Sequence, residues 1–435
     1  MEVADEKANI RVNLGVQRSD MSNNETQVSD QPHGPEEPAK ESLTAWLQVL
    51  AAFVLNLNTW GMMNAYGVFQ TFYQLDRLRS YDSTTIAWIG STQGFLLFLV
   101  SIIAGPIFDR GYFRSLLWVG SALIVIGLFL VSIATQYWQL FLLQSLIMGF
   151  GFGCLYLPAP AIVSQYFNAS TALAIGASSA GSAIGGIVYP IAFTQIQPKI
   201  GFGWATRVLA FILLATSLIP LLVMKSKSRP GTTRSIIDRK AFKDLPYMLL
   251  NLGLCFGFMG IYIIFYFIQL FALSRVPIAT SLADNLVVIL NAASLPGRLI
   301  SGYCADRIGP INVQTLVALT SAILTFSLFA IRTEAALLVY MILYGFFAGA
   351  FMGLPAAGIV RLCDDGSKIG TRIGMTLAFV GFGVLVSNPI AGAILGRGNN
   401  WVGLVSWCGA LLVASSLMLI ASRIVKVGAA PTKVI

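Results

Sequence analysis

The stretch Gly105-Pro-Ile-Phe-Asp109-Arg110-Gly111-Tyr-Phe-Arg114 is a charged interruption between two long apolar runs. A second interruption, Gly302-Tyr-Cys-Ala-Asp306-Arg307-Ile-Gly309, divides another such pair. Both read Gly-x-x-x-Asp-Arg, and a shift of 197 residues carries Asp109 onto Asp306. The same shift carries Leu157-Pro158-Ala159 onto Leu354-Pro355-Ala356 and Ile162-Val163 onto Ile359-Val360. It also carries Gly201 onto Gly398 and Trp204 onto Trp401. Proline, tryptophan and an Asp-Arg pair recurring at one offset predict two related halves.

What flanks these loops is membrane-like. The chain has 435 residues, of which 56% are hydrophobic and 11% charged, and a mean hydropathy of +0.75. Soluble domains carry roughly a quarter charged residues. The formal charge of +9 is therefore loop charge facing lipid headgroups and water. No soluble domain gathers it into a nucleic-acid surface. Cys154, Cys255, Cys304, Cys363 and Cys408 are scattered without C-x-x-C spacing, so neither a disulfide framework nor a metal site is indicated.

Residues 1–42 hold nine acidic residues and Pro32, Pro35 and Pro38, with few large apolar side chains. Such a segment buries too little apolar area to offset its ordering entropy and reads as a disordered cytosolic tail. It lacks the apolar core of a signal peptide, and it contains the single histidine, His33. From Leu43 onward, apolar runs of roughly 20 residues follow one another, each long enough for a ~30 Å hydrocarbon layer. The runs cover residues 44–70, 86–107, 115–134, 138–161, 171–196 and 204–224, then 247–272, 283–304, 311–330, 335–360, 370–396 and 401–424. The fold predicted is an all-α membrane protein of twelve transmembrane helices in two pseudo-symmetric six-helix bundles. Its halves are 43–224 and 247–424, with a cytosolic linker 225–246 and a tail 425–435.

Placing the N-terminal tail in the cytosol leaves sixteen Lys and Arg on that side beyond the tail, against seven opposite. Both termini are therefore expected inside. The sequons at Asn24 and Asn168 then face the cytosol and carry no glycan. Parallel repeats about an axis along the membrane normal place a solute site between the halves near the midplane.

The two Gly-x-x-x-Asp-Arg loops resemble the signature loops of the major facilitator superfamily, between helices two and three and between eight and nine. The resemblance implies a conformational latch built on Gly105, Asp109, Arg110, Gly302, Asp306 and Arg307. Glycine permits close helix approach, and a carboxylate is stabilised at a helix N-terminus. A plain topology signal is the simpler alternative. The run Gly149-Phe-Gly151-Phe-Gly153-Cys-Leu-Tyr156-Leu-Pro158-Ala-Pro160 and the later Gly181-Ser182-Ala-Ile-Gly185-Gly186-Ile-Val-Tyr189-Pro190 narrow this further. With Trp60-Gly61 and Tyr66-Gly67-Val68-Phe69, they look like the fungal branch of the monocarboxylate transporter family. That branch includes carriers of carboxylates, vitamins and secondary metabolites.

Two departures from that family bear on the cargo. Asn64 stands where the resemblance expects a first-helix lysine, and Ser294 where it expects an aspartate four residues before Arg298. Only the arginine survives, which counts against proton-coupled import of lactate-like acids. Gly181-Ser182-x-x-Gly185-Gly186 also resembles the Gly-Pro-x-x-Gly-Gly motif of drug/proton antiporters, with Ser182 in place of proline; glycine-mediated helix packing explains it equally well.

Arg298 is the one basic residue well inside a predicted span. A charge there costs roughly 2.5–3.5 kcal/mol on insertion scales, so it needs a partner or a wet cavity. It either meets a substrate anion or snorkels to the cytosolic face. Tyr262, Tyr266 and Gln269 recur at i, i+4 and i+7 on the seventh span, and Asn56, Trp60 and Asn64 form a similar face on the first. Both faces are expected to line a cavity or a helix contact. Tyr156, Gln93 and Asn388 are further cavity candidates, and Asp284 is expected to cap a helix.

No Gly-x-x-x-x-Gly-Lys-Ser/Thr loop supports ATP-driven transport, and one tail histidine allows no histidine-based triad. No cofactor and no obligate protein partner is indicated. The expected activity is alternating-access transport of a small organic acid or related metabolite, in the plasma membrane by default, with a coupling proton left open. Export of a secondary metabolite is the alternative within that class. A solute sensor that binds without carrying is the alternative outside it.

Overall fold

The structure is a computed structural model describing residues 43–167, 171–227, 237–363, 368–396 and 398–428. Expectations for the tail 1–42, both sequons, Arg229, Arg234, Arg397 and Lys433 lie outside these residues. Among the described residues, eleven helical segments are long and apolar enough to cross a membrane. They are α1 (Leu43–Arg77), α2 (Ser83–Asp109), α3 (Phe113–Val131), α4 (Tyr137–Val163), a fifth segment, α7 (Leu245–Arg275), α8 (Thr280–Ile308), α9 (Pro310–Ser327), α10 (Glu334–Leu362), α11 (Ile369–Leu395) and α12 (Trp401–Val427). The fifth segment lies within the helix Thr171–Val223, which breaks at Gly201 (φ 78°, ψ 165°). That break makes it two passes, α5 (171–200) and α6 (202–223). Twelve passes result, as the apolar runs predict.

The repeat is visible in the backbone. The helix of α4 is interrupted between Tyr156 and Pro158, and that of α10 between Gly353 and Pro355. Both signature loops reverse through a glycine at φ 90°, Gly111 after α2 and Gly309 after α8. The correspondence is inexact, because the shift that matches the aspartates lays Gly111 on Ile308, and α8 runs to that residue. Both aspartates lie in the last turn of their own helices, Asp109 at the end of α2 and Asp306 near the end of α8. Any stabilising helix N-terminus must therefore belong to another helix.

In the first half α1 packs on α5, α4 on α2 and α3, and α3 on α6; in the second, α12 packs on α7 and α9, and α10 on α8. The lipid-facing surface is apolar, with Trp118, Ile126, Phe211, Ile323 and Leu417 exposed. Lipid tails are as apolar as these side chains, so close packing and interhelical hydrogen bonds hold the bundle. Asn58 on α1 donates to Ser217 and accepts from Tyr189 and Thr216, joining α1, α5 and α6. Ser387 on α11 and Ser415 on α12 donate to the Met259 and Gly253 carbonyls of α7.

Among the described residues the halves meet along α1 with α7, α2 with α11, and α5 with α8. Contact is closest at the end away from the signature loops. There Gly67 abuts the Phe265 carbonyl, and a Cβ on Gly392 would lie 2.8 Å from the Thr84 nitrogen. Tyr66 and Tyr266 meet across the seam with ring centroids 4.8 Å apart. Toward the signature loops the seams loosen. A Cβ on Gly374 of α11 would find only Ile102, at 3.8 Å, and one on Gly302 of α8 would meet nothing within 4 Å. Close helix approach is therefore not what Gly302 provides in this conformation. Among these positions the halves thus stand closest at the far end and farther apart toward the signature loops.

Of the described linker residues, 225–227 bond to Gln48, Gln165 and Tyr166 of the first half, and those from 237 onward are fixed to the second. Arg372, in the first turn of α11, pairs with Asp244 at 2.6 Å and Asp238 at 3.4 Å. Asp244 also accepts from the Tyr247 backbone at the start of α7. Tyr247 returns a hydrogen bond to the Arg372 carbonyl at 2.7 Å.

Candidate functional site

Arg298 sits on α8 where the cleft narrows. Its Nη1 donates to Ser182 Oγ of α5 at 2.6 Å, and its Nη2 lies 3.8 Å from Met352 Sδ of α10. Its Nε is buried without a partner. The guanidinium is within electrostatic range of the Tyr262 and Tyr156 hydroxyls. It therefore turns inward between the halves and does not snorkel to the loop end. A guanidinium holds five donors in a planar fork, and one hydroxyl and one thioether leave that fork able to grip an oxyanion.

Aromatic rings surround it. Trp60 of α1 meets Tyr156 of α4 edge-on at 5.4 Å and Phe98 of α2 at 5.5 Å. Phe258 of α7 continues the chain, 6.4 Å from Phe98, 5.6 Å from Phe351 of α10 and 6.2 Å from Tyr262. Trp60 lies in a π-helical turn, Leu57–Gly61, a local widening frequent at functional sites. A charged fork inside an aromatic enclosure suits a planar solute with one acidic group.

The structure brings Arg298, Trp60, Tyr156 and Tyr262 together. Asn64, Tyr266 and Asn388 lie one or more turns farther toward the far end, all buried. Gln269 Nε2 donates to Asp284 at 2.9 Å, while its Oε1 is buried without a partner. Asp284 does stand at a helix cap, the C-cap of a four-residue helix. It follows the short helix Thr280–Ala283 and binds Gln269, while the next helix begins after Asn285. Asn56 donates to the Ala52 and Ser178 carbonyls, and Gln93 to the Gln144 carbonyl, so both act in helix contacts. Ser294, at the missing-aspartate position, donates to the Asn291 carbonyl within α8.

Sequence reasoning missed Phe98, Phe258, Phe351 and Met352, which are apolar residues among apolar residues and carry no periodic signal. Ser182 had a signal. Gly181 and Gly185 of its motif abut Phe53 and Gly61 on α1, which turns Ser182 toward Arg298. Of the latch residues, Arg110 and Asp306 are exposed, and the Arg307 guanidinium lies over the Tyr303 ring at 4.4 Å.

Residues 42–333 match the family model described as Major Facilitator Superfamily. The chain is 44% identical over 382 residues to the MFS-type transporter dbaD of Emericella nidulans, covering 87% of this chain and 86% of that one. It is 33% identical to the Aspyridones efflux protein apdF of the same organism, covering 90% and 81%. It is also 33% identical to the Fujikurins efflux protein of Gibberella fujikuroi, covering 91% and 86%. These relatives are named as MFS-type transporters and efflux proteins, not as monocarboxylate porters. Among solved structures, a crystal structure of the peptide transporter POT in complex with sulfate superposes with a TM-score of 0.70 at 13% identity, covering 87% of this chain and 94% of that one. At that identity the likeness is one of fold.

Proposed function

We propose that this chain, which belongs to the Major Facilitator Superfamily of membrane transporters, exports a secondary metabolite carrying a planar ring system and an acidic group. The observation that carries the proposal is Arg298, held between the halves by Ser182 and enclosed by Trp60, Tyr156, Phe258 and Tyr262. A lactate-sized acid would leave most of that aromatic surface unfilled, whereas a ring system covers it. Two relatives bear efflux in their names, which favours export over uptake. Asn64 and Ser294 occupy the positions where monocarboxylate carriers place a lysine and an aspartate, which points the same way.

In this reading the solute enters from the signature-loop end, where the halves stand farther apart, and leaves through the far end. The Lys/Arg distribution favours a cytosolic loop end and cytosolic termini, and the plasma membrane is the membrane across which export is useful. Gly105, Asp109 and Arg110, with Gly302, Asp306 and Arg307, act in the return stroke by closing the loop end.

Yeast expressing the protein and preloaded with a fluorescent aromatic carboxylate tests the direction. Dye is expected to leave these cells several-fold faster than cells expressing Arg298→Ala at equal surface level. Equal rates in the two strains would contradict the reading.

A further inference from the structure

Where the linker leads into α7, the chain shows two faces of opposite character. Asp238, Ala241 and Tyr247 are buried, and Asp238 and Asp244 both reach Arg372 of α11. On the other face Ile237, Arg239, Lys240, Phe242, Lys243 and Leu245 are all exposed. Arg372 thus takes up both carboxylates of the stretch, and the three cations are left with no acidic partner among the described residues. Ile237, Phe242 and Leu245 are 59%, 52% and 55% exposed. Large apolar side chains grouped with cations on one exposed face mark an interaction surface.

Register shows which way this face points. Along α7, Gly253 and Gly260 pack against Leu419 and Leu412 of α12, while Cys255 and Met259 pack against Gly383 of α11. Leu245 and Leu252 are both exposed and two turns apart, on the stripe of α7 between those two contacts. Phe258, which meets Phe98 of α2 between the halves, projects from the opposite side of the helix. The Leu245 stripe is therefore the lipid-facing side of α7. Phe242, Lys243 and Lys240 continue it past the end of the helix, to the depth of the headgroups.

We propose that this face is a binding site for an anionic phospholipid in the leaflet on the signature-loop side. Lys240 and Lys243, with Arg239, take the phosphate-bearing headgroup, and Ile237, Phe242 and Leu245 seat against the acyl chains. Basic side chains close to an anionic bilayer surface gain from its potential, and an aromatic ring at the interface anchors them. A soluble acidic protein would meet the cations but leave the apolar surface, which is continuous with the lipid-facing stripe, uncovered. The Arg372 pairs preset the site, since carboxylates already engaged neither neutralise the lysines nor repel the headgroup. The site lies apart from Arg298 and does not depend on the export reading or on the direction of insertion.

Full-length protein in a nonionic detergent, titrated with phosphatidylserine or phosphatidylcholine and followed by native mass spectrometry, tests it. The tightest phosphatidylserine step is expected to be at least about tenfold stronger than the tightest phosphatidylcholine step. The combined substitution Arg239→Gln, Lys240→Gln and Lys243→Gln is expected to abolish that preference. Phe242→Ser is expected to weaken phosphatidylserine severalfold, and millimolar inorganic phosphate to displace none of it. Both variants alter exposed side chains and are expected to keep the wild-type melting temperature without added lipid. A wild type without the preference, a preference that survives the triple substitution, unchanged binding in Phe242→Ser, or displacement by phosphate would each overturn the proposal.

Discussion

Arg298 Nη1 donates to Ser182 Oγ at 2.6 Å, and this hydrogen bond ties α8 of the second half to α5 of the first. It holds the guanidinium at the narrowing of the cleft, with its Nε buried and unpartnered. An arginine so placed is costly in an apolar bundle unless a bound anion recovers part of the cost. Arg298→Ala is expected to lower solute affinity at least about tenfold, and Arg298→Lys to recover only part of it, since an ammonium lacks the planar fork. Ser182→Ala removes a positioning contact and is expected to cost about 1–2 kcal/mol in affinity. Binding of an aromatic carboxylate to detergent-solubilised protein measures all three.

The aromatic enclosure makes a separate prediction about solute shape. Trp60→Ala opens the wall shared with Tyr156 and Phe98. It is expected to weaken planar acids by about 1–3 kcal/mol, while Trp60→Phe loses less than half of that. A small aliphatic acid should bind both variants equally. A competition series from acetate through benzoate to naphthoate separates the two cases.

Gly67 fixes how closely the far end can shut. A methyl group there collides with the Phe265 carbonyl, which is backbone and cannot swing away. Gly67→Ala is expected to shift the population toward the form with its far end open and to reduce turnover severalfold, with the protein still folded and at the membrane. Maleimide labelling of far-end cysteines should rise in the same variant. Labelling and turnover at wild-type values would show that the seam is looser than the structure has it.

Arg372 anchors the end of the linker that leads into α7. Its loss strands Asp238, 7% exposed, without its guanidinium. Arg372→Ala is expected to destabilise the second half by about 1.5–3 kcal/mol, with partial recovery in Arg372→Lys. Thermal unfolding in detergent reads the effect. Solute affinity at Arg298 should be unaffected.

The fold was legible because its signals are long or repeated. Twenty-residue apolar runs mark spans, and the 197-residue shift aligned Leu157-Pro158 with Leu354-Pro355 and Gly201 with Gly398, each pair at an equivalent break or junction. Arg298 was legible because a lone charge in an apolar run stands out. The rest of the site was not. Phe98, Phe258 and Phe351 differ from core phenylalanines only in what they face, and that depends on how two bundles meet. The pairing of Gln269 with Asp284 was illegible for a related reason. Their hydrogen bond joins α7 to the turn that opens α8, a contact that neither helix's periodicity contains.

The central claim is an Arg298-dependent carrier for planar acids, and counterflow in proteoliposomes tests it most directly. Vesicles holding purified protein and an unlabelled aromatic acid should accumulate the labelled acid transiently. Arg298→Ala vesicles, or vesicles filled with lactate, should not. Lactate counterflow equal to that of the aromatic acid, or counterflow that survives Arg298→Ala, would contradict the account.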